Sequence, residues 1–165
     1  MTKAILCVLA LTVGAVGVSG ACSCIRESND KRTAVADRFE RAQLVFLGRI
    51  EGTERFTLME EGDFEVEYQR TQFYILEAWK GEKASRVFVQ SAITCCLCGY
   101  EFPKSGVFLV FAYGPDKDGY YEATSCTRPL RRSEANEDIA ILNELADESR
   151  TSRSTRSRAK TRAPG

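Results

Sequence analysis

The chain has 165 residues, with 23 basic and 23 acidic side chains, seven cysteines and no histidine. That length allows one domain with flanking segments. The lack of histidine removes the commonest general base and the commonest zinc ligand, and no G-x-S-x-G or comparable nucleophile arrangement surrounds the serines. An enzyme is therefore not expected, and no cofactor is expected.

Residues 1–21 carry one charge, Lys3, then an uncharged run from Ala4 to Val18, then the small residues Ser19, Gly20 and Ala21. This is the layout of a secretory signal peptide. A run of about 15 residues is shorter than the roughly 20 that span a bilayer as a helix, and no later stretch is apolar enough to try. Small side chains at Ser19 and Ala21 place the cut before Cys22, so the exported chain is expected to begin Cys22-Ser23-Cys24. The expected location is extracellular. A lipoprotein signal also ends before a cysteine, commonly with a larger aliphatic residue where this chain has Ser19; a lipidated Cys22 at the cell envelope is the alternative.

Cys7 leaves with the leader, and Cys22, Cys24, Cys95, Cys96, Cys98 and Cys126 remain. An even number in a small exported domain reads as disulfides, although six cysteines allow about 15 pairings. A thiolate metal cluster is a competing reading, but only Cys95 to Cys98 has the two-residue spacing of a zinc knuckle. A reactive thiol at Cys95 or Cys96 is another.

In chain order, "TAVADRFERA" (33–42) spaces Val35 and Phe39 four apart, which predicts a helix. Strands follow at 44–50, 63–79 and 86–92, where β-branched and aromatic residues are bounded by charged or Gly-containing segments. "GVFLVFAYG" (106–114) is an apolar run closed by Gly114 and Pro115, and a strand at 119–125 follows a "DKDG" turn. Asn136 then caps a helix over 136–147 with an apolar face of Ile139, Leu142, Leu145 and Ala146. Five strands and two supporting helices predict a mainly β fold, a small closed or partly closed barrel, over residues 22–148.

That domain holds 16 basic against 23 acidic residues, formally −7, whereas residues 149–165 hold six basic residues and no acidic one. With no aromatic or large aliphatic side chain to bury, this tail is expected to be disordered. It reads as a solvated arm, or as one that meets an acidic polymer or a membrane surface, without specific nucleic-acid recognition.

"CSC" at 22–24, "AVADRFERAQLVFLGRI", a strand ending in "AWKG", "CGYEFPKSGVFLVFA", and "TSCTRPL" before "EDIAILNEL" occur in that order over nearly the whole of residues 22–145. Together they resemble the netrin-like module, more narrowly the inhibitory domain of tissue inhibitors of metalloproteinases and its small bacterial relatives. The resemblance implies a five-stranded OB-fold barrel whose N-terminal strand is stapled by two disulfides, Cys22–Cys98 and Cys24–Cys126. Closing the second loop, of about 100 residues, is worth roughly 4–5 kcal/mol in the chain-entropy picture. Cys95 and Cys96 are then left over; adjacent cysteines bridge only through a strained ring, so these would pair outside the chain or stay reduced.

The resemblance also implies a function. The α-amino group and carbonyl of Cys22 would bind the catalytic zinc of a target metalloprotease, Ser23 would enter its specificity pocket, and Cys24 and Ile25 would continue the inhibitory segment. A catalytic zinc keeps one coordination position open, and an α-amine with a pKa near 8 deprotonates readily when a metal competes for its lone pair. Three features depart from the inhibitor pattern: Arg26 where proline is frequent, the two extra cysteines of "CCLC", and no second C-terminal inhibitor subdomain. The alternative is a non-inhibitory binding module that keeps the disulfides as scaffold.

Overall fold

Asp30 starts the first helix: its carboxylate accepts from Thr33 N at 2.7 Å and Thr33 Oγ1 at 2.6 Å, satisfying a first-turn donor. Helix α1 (Lys31–Arg41) follows, beginning two residues before the predicted start. The computed structural model describes residues 23–60, 62–81, 84–94 and 97–160, with the backbone alone from 149 onward. Cys22, Cys95, Cys96 and residues 161–165 lie outside the described residues.

Six strands form one sheet: β1 (Leu44–Glu60), β2 (Phe64–Lys80), β3 (Arg86–Ala92), β4 (Val107–Ala112), β5 (Tyr121–Glu122) and β6 (Leu130–Arg131), in the order β5-β3-β2-β1-β4-β6. All pairs are antiparallel except β3 with β5. A second helix, α2 (Asn136–Lys160), packs against α1. The alternation of β1 and β4 sorts their apolar side chains onto two faces. Leu44, Phe46, Phe108 and Val110 point into a core with Phe73 and Phe102, whose rings meet edge to face at 5.1–5.6 Å. Val45, Leu47, Leu109 and Phe111 point the other way, under Val35 of α1 and Leu142 of α2.

The mainly β class and the two helices agree with the sequence reading; the closed five-stranded barrel does not. The sheet is open and has six strands. Beyond Ala112 the β4 line reaches β5 through a single bridge, Tyr113 with Glu122, its two N–H···O bonds both 2.9 Å. The ladder stops there because the next residue but one, Pro115, has no N–H and the chain turns back from Asp116 to Tyr120. Neither sequence segment 119–125 nor 106–114 is strand throughout. Strand β6 went unpredicted because two residues in "RPLRR" show no alternation. Conversely, β1 runs ten residues past the predicted 44–50, since Thr53–Glu60 pairs in register with Phe64–Thr71.

Asn136 is the first residue of α2 rather than its cap; Ala135 O accepts from Ile139 N at 2.9 Å, and the Asn136 side chain accepts from Arg132. The helix passes residue 147 and continues to Lys160, into the basic stretch that composition reads as disordered. No Gly or Pro interrupts residues 136–160, and an existing helix adds one hydrogen bond for each residue it fixes.

Candidate functional site

Residues 23–28 have no regular structure and are held to the rest of the fold at two points. The first is covalent. Cys24 and Cys126 form a disulfide with Cα atoms 5.3 Å apart across 102 residues, as the resemblance implies. Cys126 lies in a 3-10 turn, Ser125–Thr127, closed by Thr127 Oγ1, which accepts from Thr124 N at 3.1 Å and donates to Thr124 O at 2.9 Å. The second point is ionic. Glu27 receives Arg128 Nη1 at 2.8 Å and Arg38 Nε at 3.3 Å.

Arg38 is the centre of a buried charge chain. Its guanidinium donates to Asp138 Oδ1 at 2.8 Å, lies 4.8 Å from the Phe111 ring centroid, and is shielded from water on α1; Asp138, on α2, also pairs with Lys31. One carboxylate of the N-terminal segment is thus tied to both helices. Burying charges this deep is costly unless each is paired.

The loop that carries the other cysteines reaches the same end. Ser125 N donates to Cys98 O at 2.7 Å, Ser125 Oγ donates to Gly99 O, and Gly99 bridges Thr124. Cys98 takes a left-handed backbone, φ 56°, and is itself disulfide-bonded; its partner lies outside the described residues. Gly99 is required here, because a Cβ would stand 1.4 Å from Ala92 O. Further along, Phe102 is fastened by Gln69, which donates from Nε2 to Phe102 O at 2.9 Å and accepts from Phe102 N at 2.7 Å. Ser91 Oγ accepts from Tyr100 N and donates to Ala123 O, both at 2.7 Å.

What these anchors present is an exposed segment. Ser23 and Arg26 are exposed, and Ile25 is 71% exposed beside the disulfide; Leu97, next to Cys98, is 42% exposed. The structure brings Ser23, Cys24, Ile25, Cys98 and Cys126 to one end of the sheet. Cys22, the expected zinc ligand, and Cys95 and Cys96 lie outside the described residues. A thiolate cluster built from "CSC" and "CCLC" loses Cys24 and Cys98 to disulfides, and among the described residues no group of three His, Cys, Asp or Glu could hold a metal. Among the described residues no helix is long and apolar enough to cross a membrane.

Sequence reading missed Glu27, Arg38, Asp138 and Gly99. Gly99 had a visible signal, a glycine directly after a cysteine in a loop. The three charged residues had none, because pairing across 100 residues leaves no local pattern. No protein-family model matches the chain, and no curated protein matches its sequence.

Proposed function

We propose that this is an exported netrin-like module that inhibits a zinc metalloprotease by inserting its stapled N-terminal segment into the protease's active-site cleft. The observation that carries the reading is the mounting of residues 23–27. The Cys24–Cys126 disulfide and the two arginines on Glu27 fix the backbone on either side of Ile25, while Ser23 and Ile25 keep their side chains in solvent. A segment already held in its bound shape loses less conformational freedom on binding. The strand arrangement supports the kinship: a five-strand set with β3 parallel to β5 and β1 shared between β2 and β4 suits a partly open OB-type sheet.

In this reading Cys22 offers its α-amine and carbonyl to the target's zinc, Ser23 probes the adjoining pocket, and the disulfide at Cys24 keeps both in place. An Ala inserted before Cys22 tests it. The extension replaces the amine by an amide nitrogen with no available lone pair and leaves the core untouched. Intact-mass analysis first establishes that Cys22 is the free N-terminus. The mature protein should then inhibit members of a zinc-protease panel and the extended one should not; equal potency of the two, or no inhibition by either, removes the chelation mechanism.

A further inference from the structure

At the seam where Tyr113, just beyond β4, bridges β5, the 113–116 turn, β2, β3 and β5 enclose a cleft of about 290 Å³, near the small end of ligand-binding pockets and so sized for one head group. Its wall carries four tyrosines, Tyr68, Tyr113, Tyr120 and Tyr121, with the carboxylates of Asp116 and Glu122; no described lining residue is basic. We infer that this cleft binds a single organic cation, the guanidinium or ammonium head of a basic side chain presented by a partner polypeptide.

Three observations converge on that chemistry. Aromatic faces attract cations through their quadrupole, and carboxylates at the same mouth add a full opposite charge. The wall already shows the preference: Arg70 lays its guanidinium 3.9 Å from the Tyr120 ring centroid and 4.7 Å from that of Phe56, while pairing with Glu54 at 2.9 Å. Arg70 is not among the lining residues, and its ion pair is with Glu54 rather than with Asp116 or Glu122. A third carboxylate, Glu60, accepts from Tyr68 Oη at 2.7 Å and adds to the negative potential beside the cleft.

The lip is built to hold its shape. Asp116 Oδ1 accepts from Asp118 N and Tyr120 N at 2.9 and 2.8 Å, and Asp116 N donates to Tyr120 O at 2.9 Å. Gly114 turns the corner at φ 106°, which an L side chain rarely adopts. Glu122 bonds to Tyr113 through its backbone only, which leaves its exposed carboxylate available to a ligand. The net −7 of residues 22–148 favours the approach of a cationic partner to the domain.

The test is a nuclear magnetic resonance titration of the whole exported protein with N-acetyl-arginine amide, its neutral isostere N-acetyl-citrulline amide, n-butylguanidinium and glucose. Saturable shifts confined to the seam tyrosines are expected for both guanidinium probes at millimolar concentration, with citrulline amide at least about tenfold weaker. Tighter binding of the arginine amide than of butylguanidinium marks a peptide-borne cation; equal binding keeps the cation site but overturns the polypeptide source. Glu122→Gln should weaken both guanidinium probes about threefold to tenfold with an unchanged melting temperature. Tyr113→Ala is the second variant, and should lower affinity without changing the preference for charge. Equal binding of citrulline amide, preferential binding of glucose, or no saturable shift up to about 100 mM overturns the cation site.

Discussion

Arg38 and Asp138 show how few residues hold the N-terminal segment, and how costly each is to remove alone. Deleting one partner of a buried ion pair leaves the other charged and desolvated, so Asp138→Ala should lower unfolding free energy by about 3–5 kcal/mol in urea titrations. Adding Arg38→Met should recover part of that loss, because the stranded guanidinium goes with it. A double variant as unstable as the sum of the singles would show that the two do not interact. Tyr68 offers a second check. Burial first, then its hydrogen bond to Glu60 and the negative charge of Glu60 and Glu122, push its phenol up to about 12, while burial also raises Tyr100. The folded phenol binds its proton more tightly than the unfolded one, so its contribution to stability is complete below pH 10 and fades as pH rises from 10 to about 12. Absorbance titration should show one of six tyrosines ionising last, and Glu60→Gln should bring it down. Six tyrosines titrating together would contradict the burial.

Among the elements, α2 packs against α1 and the sheet through residues 136–148. Leu142 and Ala146 are the buried apolar side chains of this stretch, and Trp79 Nε1 donates to Asn143 Oδ1 at 2.7 Å on it. Removing residues 149–165 should therefore leave the melting temperature nearly unchanged and the Trp79 emission maximum in place; a drop of several degrees would mean that the basic stretch packs. The sequence made the packed part legible through the spacing of Ile139, Leu142, Leu145 and Ala146. It made strand starts at 44, 86 and near 107 legible through dense β-branched and aromatic runs. It did not reveal the outer half of β1, where "TERFTLME" is mostly exposed and gains its strand character from pairing with β2, which was expected over 63–79 and runs Phe64–Lys80. The staple at Cys24–Cys126 was legible only through the ordered motif set, and the ion chain from Glu27 to Asp138 was not legible at all, since burial rather than residue type decides which of 46 charged side chains pair.

For the molecule as a whole, the long covalent closure matters more than any one contact. Reducing Cys24–Cys126 restores freedom to about 100 residues of unfolded chain and should cost about 4–5 kcal/mol, read as a lower urea midpoint in reductant; an unchanged midpoint would leave the disulfide without thermodynamic weight. The same bond makes the backbone from 24 to 126 a ring, with α2 in the segment that follows it. A ring survives one cut. The outer turn of the β1–β2 hairpin projects beyond the end of β3 with Met59 62% and Phe64 50% exposed, an inviting place for a chymotrypsin-like protease to sever the chain. Such a nick leaves Cys24 on one fragment and Cys126 on the other, so the severed protein should migrate as one species without reductant and as two with it. Fragments that part without reductant would show that the ring is open. Within the ring the two fragments stay at a high effective concentration, and their strands should re-pair after denaturant is diluted away. If the proposed inhibition holds, the module would thus tolerate being cut by the proteases it meets.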